Sequence, residues 1–205
     1  MKKIILTVAA VFAFGFANAQ DKKEGSGEGF AKGDLYLSGS FNFSSEKTGD
    51  FKTDSFTIAP GLGYFISDNL AIEGSLAYLS GKENVDLFGD GDLYELKTSG
   101  FGISAGVKYF WTPASKFSLS VGGNVSYASI KSEVSGLGDS TSKIIGVNVP
   151  VGLHYFVSNS FALTTSWGGL GYSSNDNGGN GAEKTNGFNL GLDMSDVSFG
   201  LIYKL

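Results

Sequence analysis

The chain has 205 residues, carries a formal net charge of −5 at pH 7, and is rich in glycine (31 residues) and in aromatic side chains (14%). It contains no arginine, the side chain best suited to bidentate phosphate recognition, so nucleic acid is not an expected partner. It also contains no cysteine, which excludes disulfides and thiolate metal sites.

The N-terminus has the pattern of an export signal. Two lysines precede an apolar stretch, Ile4–Phe16, and Ala17 and Ala19 form a small-x-small cleavage site before Gln20. The apolar stretch is shorter than the roughly 20 residues that a membrane-spanning helix needs. We therefore expect export and cleavage after Ala19. A retained helical anchor is the alternative.

These features divide the chain into three parts. Residues 1–19 are the predicted signal peptide, residues 20–32 a short periplasmic leader, and residues 33–205 a single folded domain. The leader is rich in glycine and charge, and we expect it to be a flexible tail.

Four stretches of the folded part end in the same way, with a glycine three residues before a tyrosine. They are Gly61–Tyr64, Gly106–Tyr109, Gly152–Tyr155 and Gly200–Tyr203. Around each pair, apolar residues alternate with small or polar ones, which places the tyrosine on the apolar face and the glycine on the other. Two strands per unit, repeated four times, predict an eight-stranded up-and-down sheet.

The predicted strands follow one another with connections that are alternately short and long. They cover about Gly33–Phe43, Ser55–Ile66, Leu70–Ser80, Glu95–Trp111, Phe117–Ile130, Lys143–Val157, Phe161–Tyr172 and Gly187–Leu205. The short connections consist of turn-favouring residues, and the four long ones are polar. Outer-membrane barrels alternate short periplasmic turns with long extracellular loops in this way. The sequence therefore predicts an all-β, eight-stranded antiparallel transmembrane β-barrel with both chain ends on the periplasmic side.

The two faces of the predicted strands differ in polarity. In a membrane barrel the apolar face meets lipid and the polar face fills the interior, whereas a soluble barrel or sandwich, the alternative, needs the reverse. Aromatic residues gather at the two levels where interfacial girdles are expected. The predicted girdles contain Tyr64, Tyr109, Trp111, Tyr155 and Tyr203 beside the short turns, and Tyr78, Tyr127 and Trp167 toward the long loops.

Two prolines and one change of phase interrupt the pattern. Pro60 and Pro150 lie inside predicted strands, where each removes a ladder hydrogen bond, so we expect a bulge at each. The apolar alternation of the last strand switches from even to odd numbers. A bulge near Ser195-Asp196 would reconcile its two halves.

Three segments resemble a known family. The signal peptide, the hairpin GYFISDNLAIEGSLAY over Gly63–Tyr78 and the closing VSFGLIYKL are similar to the OmpA/OmpW-like small outer-membrane β-barrels. The resemblance covers nearly all of residues 20–205 and implies an outer-membrane location. In that family the last strand alternates apolar residues and ends in an aromatic, a signal read by the barrel-assembly machinery, which the resemblance implies as a partner. The matching residues are Val197, Phe199, Leu201 and Tyr203. Leu205 departs from the pattern at the final position.

The interior of so small a barrel has little free space. Eight strands leave room for side chains or one small ligand, whereas aqueous channels need about 16–18. The predicted interior polar network consists of Glu73, Lys108, Asn124, Asn148, His154 and Lys204. Glu73 and Lys108 lie near the same end of adjacent strands, and we expect them to form an ion pair because a buried charge needs a partner. The sequence therefore predicts a closed polar interior rather than a pore.

Candidate chemistry is sparse. His154 is the only histidine, and its position near a short turn favours an interior side chain over a catalytic one, so we expect no enzyme activity. The segment Asp86–Asp92 gathers three carboxylates but lacks the ordered spacing of a calcium loop. We expect no metal site and no cofactor.

Three functions follow from these patterns. The main hypothesis is a non-enzymatic outer-membrane protein, closed and monomeric, that acts in envelope integrity or in surface interaction through its loops. The alternative is a narrow porin-like channel for small or apolar solutes, as the OmpW resemblance implies. An enzyme that modifies outer-membrane lipid is the third.

Overall fold

The computed structural model describes residues 27–86, 88, 91–178, 181–191 and 197–205. The predicted signal peptide, its cleavage site and the predicted bulge at Ser195-Asp196 lie outside these residues. Within the described residues the regular elements are β-strands. They are β1 (Leu35–Thr48), β2 (Phe51–Phe65), β3 (Leu70–Val85), β4 (Tyr94–Phe110), β5 (Phe117–Val134), β6 (Gly138–Phe156), β7 (Phe161–Asn175), β8 (Thr185–Gly191) and β9 (Val197–Lys204). No helix in this part of the chain is long and apolar enough to cross a membrane.

The strands form one antiparallel sheet that closes on itself. Each strand from β1 to β7 pairs with the next along the chain. β9 pairs with both β7 and β1 and so closes the barrel. β8 pairs with the second half of β7, so that β8 and β9 together occupy the eighth strand position. The predicted eight-stranded up-and-down barrel is confirmed.

The strands extend beyond their predicted bounds at the end with the polar connections. Only Gly49 and Asp50 join β1 to β2, and only residues 135–137 join β5 to β6. Gly49 has a positive φ of 62°, the left-handed conformation that a tight hairpin turn requires. The predicted bounds were therefore wrong here. Much of the polar sequence continues the strands, because backbone pairing does not need an apolar face.

The two faces of the wall have the polarity predicted for a membrane barrel. Large apolar side chains such as Leu76, Ile103 and Val125 are more than half exposed on the outside. Serines, glycines and a few charged side chains line the inside. A continuous apolar belt of this kind needs an apolar solvent around it, which acyl chains supply.

The two prolines affect the ladder differently. At Pro150 the pairing of β6 with β7 shifts between Val149 and Val151, and this confirms the predicted bulge. At Pro60 the prediction was wrong. Pairing between β2 and β3 stops after Ile58 and resumes at Gly61 without a change of register. The proline removes a hydrogen bond, but the pairs on either side hold the alignment.

Candidate functional site in the barrel interior

The repeated glycine–tyrosine motif has a fifth position that lines the periplasmic end of the interior. The tyrosine is followed by Phe65, Phe110 and Phe156 in the first three repeats and by Lys204 in the fourth. Because side chains alternate along a strand, the residue after an outward tyrosine points inward. All four of these side chains are buried. Sequence reasoning assigned Lys204 to the interior but missed the three phenylalanines, although the same alternation would have placed them there.

Phe30 fills the space between these inward side chains. Its ring centroid lies 4.7 Å from that of Phe65, 4.8 Å from Phe156, 5.2 Å from Tyr36 and 5.4 Å from Phe110. Its side chain is 1% exposed. Burial of a phenylalanine contributes about 1.5–3 kcal/mol, and aromatic contacts add about 0.5–1.5 kcal/mol each. We call Phe30, Tyr36, Phe65, Phe110 and Phe156 the aromatic cluster.

The residues around Phe30 are fixed to the barrel wall. Lys204 donates hydrogen bonds from Nζ to the carbonyl oxygens of Gly29 (2.5 Å) and Gly27 (3.3 Å). The backbone N–H of Gly33 donates to the Phe65 carbonyl at 2.9 Å. The expectation of a flexible tail is therefore wrong from Gly27 onward, because a single buried aromatic ring and these bonds order the segment.

The turn between β4 and β5 supplies a further contact for this segment. The Phe30 N–H donates to the Pro113 carbonyl oxygen at 2.6 Å. Gly29 has a φ of 120°, and a Cβ atom built on it would lie 2.5 Å from the Ala114 carbonyl carbon, so only glycine fits. Outside the barrel, Lys116 Nζ lies 2.9 Å from Glu28 Oε1, and this hydrogen bond raises the pKa of the Lys116 amine.

Above the aromatic cluster, charged side chains meet in the interior. Lys108 Nζ lies 2.8 Å from Glu73 Oε1, and the Tyr36 hydroxyl donates to the same carboxylate oxygen. Ser75 and Ser104 share a hydroxyl hydrogen bond of 2.8 Å on the same strands. The structure thus brings Glu73 and Lys108 together as the sequence predicted and adds Tyr36, which sequence reasoning did not include.

His154 lies beside the same region. Its Nε2 is 2.8 Å from the Ser120 hydroxyl, and its ring packs against Phe110 at 4.8 Å between centroids. Both side chains of the hydrogen bond are buried, and Nδ1 has no hydrogen-bond partner among the described residues. A nucleophile–base pair normally has a third group that orients the base. The described residues supply no such group to Nδ1.

The interior polar side chains surround a chamber of about 260 Å³. Of the predicted network, Glu73, Lys108, Asn124 and His154 line it. Asn148 lies directly opposite Asn124 across β5 and β6. Lys204 is not with them. It lies below the aromatic cluster, where it holds the residues next to Phe30.

The girdle side chains that the structure describes lie on the outer wall. Tyr64, Tyr109, Trp111, Tyr127 and Tyr155 are exposed, and Tyr78 and Tyr203 are partly exposed. In the girdle beside the short turns, the rings of Tyr109 and Trp111 pack edge-on with their centroids 5.7 Å apart. The Trp167 side chain lies outside the described part of the structure.

An apolar outer wall around a polar chamber is the arrangement of a membrane barrel. A comparison of the sequence with known families gives the same result. Residues 6–195 match the family described as the outer membrane protein beta-barrel domain. The chain belongs to this family. Membership confirms the resemblance seen in the sequence and assigns the protein to the outer membrane.

Solved structures of outer-membrane proteins share the fold. OprG from Pseudomonas aeruginosa is 18% identical, with 87% of this chain and 98% of that chain covered and a TM-score of 0.50. A major outer membrane protein from Thermus thermophilus is 10% identical, with 84% and 98% covered and a TM-score of 0.50. At these identities the likeness extends to the fold alone. No curated protein matches the chain.

Proposed function

We propose that the protein is a non-enzymatic outer-membrane barrel with a closed interior, which contributes to envelope integrity or to surface interaction through its extracellular hairpins. The observation that carries this proposal is the aromatic cluster. Phe30 packs against four rings across the periplasmic mouth, where a channel would need an open path.

The interior charges support a closed barrel as well. Glu73 is bonded to both Lys108 and Tyr36, and these side chains are mostly shielded from solvent. Breaking a buried ion pair costs several kcal/mol because it leaves one charge without a partner. This ion pair therefore favours a fixed interior over an open path for solutes.

The extracellular hairpins would carry any surface interaction. They project as paired strands and carry charges of both signs on their outer faces, such as Lys131 and Asp139, whose nitrogen and oxygen lie 2.8 Å apart. Loops and hairpin ends on a rigid barrel are the usual place for recognition. A surface ligand bound by the protein would therefore contact these hairpins.

Our proposal for biogenesis rests on the predicted signal peptide and on the closing strand β9. We propose that residues 1–19 are removed during export, that the assembly machinery inserts the barrel through its closing strand, and that the protein is a monomer surrounded by lipid. Leu205 departs from the usual terminal aromatic, but its N–H donates to the Leu35 carbonyl at 2.9 Å and extends the contact between the first and last strands. N-terminal sequencing of outer-membrane material tests the cleavage, and Gln20 is the expected first residue.

A narrow channel is the second candidate, and the seam between the first and last strands favours it. Among the described residues, β1 and β9 pair from Tyr36↔Lys204 to Gly39↔Leu201, whereas β1 pairs with β2 along the whole length of β1. Ser38, Gly39 and Ser40 line both the chamber and a groove on the outer wall at this seam. A small apolar solute could pass from the chamber into the membrane here.

Solute uptake into proteoliposomes separates the two candidates. We expect no uptake of small sugars or of small apolar solutes beyond that of protein-free vesicles. Uptake would contradict the closed barrel. A Gly39→Cys/Leu201→Cys pair, in which the two cysteines face each other across the seam, identifies the route, because oxidation of this pair would block lateral passage and leave an axial channel open.

A further inference from the structure

The segment that closes the periplasmic mouth is not part of the barrel wall. Phe30 precedes β1, yet its ring stands at the centre of the aromatic cluster and contacts rings from β1, β2, β4 and β6. The repeat supplies three of those rings and Lys204. The barrel wall therefore forms a pocket at the periplasmic mouth, and residues 27–34 fill it.

We infer that Gly27–Asp34 is an intramolecular plug, an autoinhibitory contact that seals the chamber from the periplasm. The inference deepens the proposed function, on which it rests, by identifying the group that keeps the barrel closed. The solute that the plug excludes is a small polar one, since serine, asparagine and a lysine–glutamate pair line the chamber behind it.

The contacts of the plug reach several sides of the mouth. Lys204 on β9 binds the Gly27 and Gly29 carbonyls, and Pro113 in the β4–β5 turn accepts the Phe30 N–H. The Phe65 backbone at the end of β2 exchanges hydrogen bonds with Gly33 and Asp34, each 2.9 Å long. A segment held from separate strands spans the opening rather than lying against one wall.

The chamber begins directly behind the plug. Phe110 touches Phe30 on one side and His154 on the other, with centroids 5.4 Å and 4.8 Å apart. His154 and its partner Ser120 line the chamber. Removal of the Phe30 ring would therefore connect the chamber with the periplasmic side through the space between Phe65, Phe110 and Phe156.

Because the chain contains no cysteine, access to the chamber from the periplasmic side can be measured with a single introduced thiol. Ser166 lines the chamber, and Ser166→Cys places a single thiol there with little change in shape. Proteoliposomes are prepared with the periplasmic turns outward, as checked with a separate Ser115→Cys protein. A small, membrane-impermeant thiol reagent is then added outside, and the labelling rate is recorded. Heat-modifiable gel migration verifies that each protein is a closed barrel.

The plug predicts slow labelling in the native background and at least a tenfold faster rate with Phe30→Ala. Phe88→Ala is the matched control, because this ring is 63% exposed in an extracellular connection, and it should leave the rate unchanged. Equal rates in the folded Phe30→Ala and native proteins would overturn the inference, as would native labelling as fast as that of Ser115→Cys.

A second, surface variant keeps the test decisive if Phe30→Ala fails to fold. Lys116→Glu places two carboxylates against each other at the exposed contact with Glu28. We expect a few-fold faster labelling that Glu28→Lys restores in the double variant. No increase with Lys116→Glu would contradict the plug.

Failure of the plug and failure of the closed-barrel proposal give different results. If the native protein takes up solutes while Ser166→Cys remains protected from the periplasmic side, the barrel is open by another route and the plug stands. If native vesicles exclude solutes while Ser166→Cys reacts fast from that side, the barrel is closed elsewhere and the plug is wrong.

Discussion

The two ends of the barrel are stabilised in different ways. At the periplasmic end, short turns surround a packed interior in which Phe30, Phe65, Phe110 and Phe156 are buried. At the extracellular end, long paired strands carry exposed charges and exposed rings such as Phe43. Surface ion pairs contribute about 0–1 kcal/mol each, far less than a buried aromatic ring. One end therefore depends on side-chain packing, and the other mainly on backbone pairing.

This contrast indicates where each task is performed. A packed end can exclude solutes because its rings fill the mouth of the barrel. Removal of any ring would leave a cavity there. An end built from paired hairpins can vary its side chains without loss of the barrel, as a surface for recognition requires. Substitutions at the periplasmic end should therefore change stability and permeability, whereas those at the extracellular end should change only surface properties.

The largest effect should come from the aromatic cluster. Phe110→Ala removes a ring that packs against Phe30, Phe65 and His154 and should lower the free energy of unfolding by about 3–5 kcal/mol. Phe88→Ala at the extracellular end should change it by less than about 0.5 kcal/mol. Urea unfolding in lipid vesicles, followed by tryptophan fluorescence, measures both. Similar losses in the two variants would remove the distinction between the ends.

The next effect concerns the interior ion pair. Lys108→Met leaves the Glu73 carboxylate without its cation and should cost about 2–4 kcal/mol. Glu73→Gln combined with Lys108→Met removes both charges and should recover most of that loss. The same unfolding measurement gives the coupling energy of the double-mutant cycle. Additive losses would mean that the two side chains act independently.

A smaller effect should appear at the plug itself. Gly29→Ala introduces a Cβ atom against Ala114 at a φ of 120° and should cost about 1–3 kcal/mol of local stability. The amide of Phe30, bonded to Pro113, should then exchange its hydrogen at least tenfold faster. Gly136→Ala is the control, since its φ of 81° is also strained but its surroundings are open. Faster exchange of the Phe30 amide in that variant would indicate a global effect.

The smallest effect depends on pH. The Glu28 hydrogen bond raises the pKa of Lys116, so its stabilisation is present below the unfolded pKa of about 10.4 and is lost as pH rises through the higher folded value. Lys116→Gln should therefore melt slightly below the native protein at neutral pH and equally with it at strongly alkaline pH. A difference that persists at alkaline pH would show that the charge is not responsible.

Periodic features of the fold were predictable from the sequence. The alternation around Gly106–Tyr109 and its three counterparts separated an apolar face from a polar one, because a sheet wall imposes the same period on every strand. The size of the apolar face and its aromatic ends then favoured lipid as its surroundings. The ion pair of Glu73 with Lys108 followed from their equal distance to neighbouring turns. These inferences depend on local spacing, which the sequence states directly.

Other features depend on contacts between distant residues, and sequence reasoning did not find them. Phe30 is a single aromatic ring in a polar leader, with no period to assign it to the interior. Its partners are spread from β1 to β6, so only the closed barrel brings them together. Lys204 was assigned to the interior, but its role in holding the Gly29 carbonyl depends on a segment 175 residues away.

Single-channel recording in planar bilayers tests the central claim, a closed interior, most directly. The native protein, inserted and verified as a folded barrel, should produce no stable unitary conductance. Reproducible unitary channels from that preparation would contradict the account, because ions cannot cross a barrel whose periplasmic mouth is filled.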